Sequence, residues 1–96
     1  LPVRADIEFV FPRPKSHYGT GKNADVLKPS APKFCTSRGN GDIDKLSRST
    51  LDGLSVSAGG SVLEDDSLVV ELNTKKRYIN KDELPGAYIA ISCIYD

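Results

Sequence analysis

The 96-residue sequence predicts an α+β domain. A small, mainly antiparallel sheet is built from an N-terminal strand plus a C-terminal hairpin, packed by one helix and carrying a long basic loop. Three observations predict it: apolar residues alternate over 3–11, an apolar stripe at helical spacing runs over 44–54, and two more alternating runs close the chain. A chain of this length makes one domain, 1–96, with a thin core, so a homodimer is expected.

In the first strand Val3, Ala5, Ile7, Phe9 and Phe11 alternate with Arg4, Asp6, Glu8 and Val10, the period of a half-buried strand. Pro12 and Pro14 end it. Residues 12–41 are rich in Pro, Gly, Ser, Lys and Asn without apolar periodicity, which predicts a long loop or arm. Arg13, Lys15, Lys22, Lys28, Lys33 and Arg38 are spread along it, with Tyr18 and Phe34 between them. Such a segment suits an arm that contacts DNA phosphates and stacks on bases. A solvated loop accounts for the same composition.

The helix is expected from Asp44, a natural N-cap, to about residue 54, with Leu46, Thr50, Leu51 and Leu54 on its apolar side and Gly53 near its end. Asp44, Arg48 and Asp52 fall at i, i+4 and i+8 and line one face. Taken alone, that stripe is also what an exposed, salt-bridged helix face shows. Residues 55–62, with Ala58, Gly59 and Gly60, predict a flexible connection. Leu68, Val70 and Leu72 then alternate with Glu71, Asn73 and Lys75 in a strand reaching to Ile79. Asn80 to Gly86 makes a turn, Ala87 to Tyr95 a final strand, and these two strands are expected to pair as an antiparallel hairpin.

Composition excludes several classes. No stretch approaches the roughly 18 apolar residues of a membrane span, so a soluble protein is expected. No secretory pattern opens the chain, which starts at Leu1 and has no Met, so trimming of its start is expected. Cys35, Cys93 and the single His17 have no zinc-ligand spacing, and a reduced, intracellular protein is the simplest reading. The formal net charge of zero conceals an asymmetry. Residues 1–48 carry nine Lys and Arg against five Asp and Glu, a balance of +4; residues 49–96 carry four against eight, a balance of −4. A basic region beside an acidic site suits a metal-dependent nuclease, although separate exposed faces give the same numbers.

Two acidic elements carry the chemistry. Asp42 and Asp44 flank Ile43 at the mouth of the helix, and Asp65 and Asp66 precede the second strand. Carboxylates two residues apart on extended backbone face one volume, and their oxygens suit Mg²⁺. The helix is about 15 Å long and a ten-residue connection reaches about 33 Å, so the chain has length enough to bring Asp66 beside Asp44. Strand parity sets Asp66 with Leu68, Val70 and Leu72 on the helix-packed side and turns Asp65 away; a polar turn before the strand accounts for the same acidic pair. Converging carboxylates repel and imply a cation or raised pKa values. Two divalent ions about 4 Å apart can activate a water and stabilise a leaving oxygen, while Arg48 holds the phosphate.

Phe11-Pro12-Arg13-Pro14-Lys15-Ser16, then Asp42-Ile43-Asp44-Lys45-Leu46 through Leu51-Asp52, then Asp65-Asp66-Ser67 through Val70-Glu71, with Lys76 beyond, stand in a recognisable order and spacing. In these features the chain resembles the RusA-type Holliday junction resolvases, especially compact phage and prophage members. The resemblance implies a homodimeric α+β endonuclease that binds four-way DNA junctions and, with Mg²⁺, makes paired nicks. It implies that Asp42, Asp44 and Asp66 are the metal-binding catalytic aspartates, and sets Arg48 where a catalytic lysine usually stands. Asp52 and Lys76 match recurring polar positions. Lys45 stands where Asn is usual, and Arg48 keeps the charge of lysine but removes any proton-transfer option.

The leading expectation is therefore a Mg²⁺-dependent endonuclease, with Mn²⁺ as substitute, cleaving branched DNA in a bacterial or phage-infected cytoplasm near the nucleoid. Its catalytic set is Asp42, Asp44, Asp66 and Arg48; its DNA contacts are Arg13, Lys15, Lys22, Lys33, Arg38, Lys45 and Lys76. A junction-binding protein of the same fold with weak or absent cleavage, and a nuclease preferring flaps or forks, are the alternatives.

Overall fold

The strand at residues 3–11 forms as expected and organises everything else. The computed structural model describes residues 1–55 and 63–95, with only the backbone of Asp66. It contains β1 (Val3–Phe11), α1 (Ile43–Leu54), β2 (Val69–Tyr78) and β3 (Gly86–Cys93), with short 3₁₀ turns at Lys15–His17, Gly21–Asn23, Arg38–Asn40 and Asp66–Leu68. The flexible connection expected over 55–62 lies outside the described residues apart from Ser55.

The strand order is β2-β1-β3. β1 and β2 are parallel, with Ala5 opposite Leu72, Ile7 opposite Thr74 and Phe9 opposite Lys76. β1 and β3 are antiparallel, with Ile7 opposite Ile89. Two expectations are thereby corrected. The sheet is mixed, not mainly antiparallel, and the last two strands do not pair as a hairpin, because β1 separates them.

The reason lies in the side chains. β1 carries the most continuous apolar row, and the centre of the sheet buries it: Ala5 is 0%, Ile7 2% and Phe9 6% exposed. β2 carries Glu71, Lys75, Lys76 and Arg77, charges that an edge position leaves near water. A parallel β1–β2 pair also needs a long crossover, and α1 lies in that connection. Burying Ile7 and Phe9 stabilises the fold by about 1.5–3 kcal/mol each, and Ile7→Ala would cost about 2–5 kcal/mol.

α1 starts earlier than expected, its N-cap being Asp42 and not Asp44, two residues further on. Ser47 is its most buried residue, and its hydroxyl donates to the Ile43 carbonyl at 2.7 Å, satisfying the oxygen within the helix. Leu46 reaches a groove beside Phe9, Val10 and Phe11. The helix also packs on β2 and on the Asp66–Leu68 turn.

The arm at 12–41 holds 3₁₀ turns and one isolated bridge, Tyr18 to Leu27. Arg13 anchors it. Its guanidinium lies 4.3 Å from the Tyr78 ring centroid and donates to the Pro32 carbonyl at 2.7 Å, while His17 meets the same ring edge-on. The radius of gyration, 16.7 Å, exceeds the about 12–13 Å of a compact chain of this length, so the molecule is elongated. Among the described residues both cysteines are free, Cys35 buried and Cys93 exposed.

Candidate active site

The first acidic element is built by a glycine turn. Gly41 has φ +83°, a conformation that favours glycine, and its carbonyl accepts a 2.9 Å hydrogen bond from Lys76 Nζ. Asp42 follows in extended conformation as N-cap, and its carbonyl accepts from the Leu46 N–H at 3.0 Å. Its side chain makes no capping hydrogen bond. The Asp42 carboxylate is 74% exposed and, among the described residues, meets only Lys45 Nζ, at 4.0 Å. Asp44 stands exposed in the first helical turn, where the helix dipole favours negative charge.

Asp44, Arg48 and Asp52 all line one open cleft of about 550 Å³ between α1 and β2, with Ile43, Ser47 and Leu51 behind them and Leu72 and Thr74 as the opposite wall. None of the three charged groups has an ion pair or side-chain hydrogen bond among the described residues. The salt-bridged face that their spacing allows is therefore not what these residues form. Two carboxylates and a guanidinium face the cleft uncommitted.

The second acidic element differs from its sequence reading. Asp66–Leu68 is a 3₁₀ turn and β2 begins only at Val69, so strand alternation does not extend to Asp66. Asp65 is tied into this turn, its Oδ1 accepting from the Ser67 N–H at 2.9 Å. The Asp66 side chain lies outside the described residues. Among those described, no cluster of three or more His, Cys, Asp or Glu is close enough to hold a metal ion.

The course of the backbone relates the two elements. The Leu63 N–H donates to the Leu54 carbonyl at 2.9 Å, and Leu63 bridges Ser55, so the chain re-enters at the C-terminal end of α1. Lys76, late in β2, reaches Gly41 at the other end. α1 thus runs back along β2, with Asp42 and Asp44 at its start and the turn opened by Asp66 following its finish.

The basic residues divide. Lys15, Lys22, Lys33, Arg38 and Lys45 are exposed. Arg13 is committed to Tyr78 and Pro32, and Lys76 to Gly41. Sequence reasoning missed the network below the sheet. Arg77 contacts Glu8 at 3.0 Å and grips Glu83 at 2.7 and 2.6 Å, and Lys75 meets Glu8 at 2.9 Å. The Arg77 guanidinium, with the Asn80 N–H, holds the Glu83 carboxyl down at about 2; Lys75 and then Arg77 lower that of Glu8. The alternation of Glu8 with Ile7 and Phe9, and of Arg77 with Lys76, was the available signal.

A family model described as Endodeoxyribonuclease RusA matches residues 1–92. No curated protein and no solved structure matches the chain. No helix among the described residues is long and apolar enough to cross a membrane.

Proposed function

Because the chain belongs to the RusA family of endodeoxyribonucleases, whose substrates are branched DNA, we propose that it is a Mg²⁺-dependent homodimer resolving four-way junctions by paired phosphodiester hydrolysis. The observation that carries the site assignment is the cleft where Asp44 and Arg48 stand unpaired, beside an Asp42 that caps α1 in position only.

Asp42, Asp44 and Asp66 would hold the ion; three carboxylates suit a hard cation, and the free oxygens of Asp42 and Asp44 fit it. When bound, Mg²⁺ supplies positive charge against phosphoryl oxygens and an acidified water at neutral pH. Arg48, permanently charged and one turn from Asp44, receives the scissile phosphate as a two-pronged donor and balances charge developing in the transition state. Leu72 and Thr74 of β2 stand across the cleft from these groups. The exposed cations Lys15, Lys22, Lys33, Arg38 and Lys45 attract the flanking phosphates.

The positions of the acidic elements toward opposite ends of α1 favour a particular dimer. A two-fold axis crossing the middle of the α1–β2 unit exchanges its ends, so the Asp42–Asp44 element of one copy meets the Asp66 turn of the other. Each dimer then has two equivalent sites, one for each nicked strand.

A synthetic four-way junction incubated with protein and Mg²⁺ tests the function. Paired nicks leaving 5′-phosphate and 3′-hydroxyl ends are expected. Junction binding without nicking in either Mg²⁺ or Mn²⁺ would identify a binding protein instead, and faster cleavage of flaps or forks would change the substrate.

A further inference from the structure

We propose that Lys76 is a positioning residue for the metal-binding element: it holds the Gly41 carbonyl and so fixes where Asp42 and Asp44 present their carboxylates. The inference rests on reading those aspartates as metal ligands. Lys76 lies opposite Phe9, on the sheet face whose β1 row is the buried Val3, Ala5, Ile7 and Phe9. A lysine there is half-buried, a position that ordinarily requires a carboxylate partner. Its neighbour Lys75, on the other face, has one in Glu8 at 2.9 Å.

Lys76 has no such partner among the described residues. Its ammonium instead donates at 2.9 Å to a neutral carbonyl 35 residues earlier in the chain. That carbonyl belongs to Gly41, at φ +83° and one peptide bond before the N-cap. The glycine turn alone would leave the direction of Asp42 loosely determined; a donor fixed on β2 ties it to the sheet.

The test is Mn²⁺ binding without DNA, read by the electron paramagnetic resonance of free Mn²⁺, with junction nicking alongside. Lys76→Met, which keeps the stem and loses the donor, is expected to weaken Mn²⁺ binding about 10-fold or more, the range for residues that orient metal ligands. Lys76→Gln, which keeps an N–H donor, should stay within about 3-fold of the unmodified protein, and Lys75→Met should match it. The Mg²⁺ concentration for half-maximal nicking should move in parallel, with metal-free junction affinity unchanged. Normal Mn²⁺ binding by Lys76→Met with lost junction affinity would make Lys76 a phosphate contact and overturn the proposal, as would equal losses in the Met and Gln variants. If the unmodified protein binds Mn²⁺ no better than its Asp42→Asn variant, the underlying ligand assignment fails instead. In the unmodified protein, nuclear magnetic resonance should find slowed exchange of the Lys76 ammonium protons; exchange as fast as at Lys15 would also overturn it.

Discussion

Arg77 grips Glu83 through two parallel hydrogen bonds, Nη1 to Oε1 at 2.7 Å and Nη2 to Oε2 at 2.6 Å, while its other side meets Glu8. This joins the β2–β3 connection to the central strand. The Glu83 carboxyl titrates in the folded protein at about 2, below its ordinary 4.5, so the pair's contribution is complete above about 4.5 and is lost as pH falls toward 2. Urea midpoints should therefore fall between pH 5 and pH 3. In Glu83→Gln the midpoint at pH 7 should be lower and that acid slope shallower; an unchanged slope would remove Glu83 from the acid response.

Arg13 is expected to act on the arm and only through it on DNA. Its stacking on Tyr78 and bond to Pro32 together stabilise the arm by about 1–2 kcal/mol. Arg13→Ala should lower the melting temperature by several degrees and speed proteolysis between residues 19 and 31. A loss of junction affinity without either change would make Arg13 a direct phosphate contact.

Arg48 and Asp44 line the cleft together but should fail differently. Arg48→Ala should reduce kcat about 10²–10³-fold, with Lys in its place recovering part of it. Asp42→Asn and Asp44→Asn should abolish nicking while junction binding holds or tightens, because a negative charge facing the phosphate is gone. Single-turnover rates and gel-shift affinities separate the two effects.

Asp65 and Asp66 should also separate. Asp65 accepts the Ser67 N–H, a bond that Asn can keep and Ala cannot. Asp65→Asn should nick nearly normally and Asp65→Ala should lose about 1 kcal/mol of stability, whereas Asp66→Asn should not nick. Near-normal turnover in Asp66→Asn would take that residue out of the metal site.

Much of this was legible in the sequence. The alternation from Val3 to Phe11 located β1 to the residue, and the spacing of Asp44, Arg48 and Asp52 identified the helix face that lines the cleft. Strand order was not legible, because alternation says which residues share a face and nothing about the neighbour: the proximity of 69–78 and 86–93 in sequence suggested a hairpin, but the greater apolar surface of β1 takes the centre. Strand parity was carried too far back, to Asp66, for a related reason, since an acidic pair before an apolar run looks the same whether it starts a strand or forms the turn before it. The tie from Lys76 to Gly41 spans 35 residues and leaves no local signature.

The most direct test of the dimeric site mixes two inactive proteins, Asp44→Asn and Asp66→Asn, refolds them together and assays junction nicking with Mg²⁺. In a dimer whose sites draw Asp42 and Asp44 from one copy and Asp66 from the other, each mixed dimer regains one intact site. The mixture should then give about a quarter of the nicks of the unmodified protein, on one strand per junction. No nicking in the mixture, with full activity in the unmodified protein refolded the same way, would contradict the shared site.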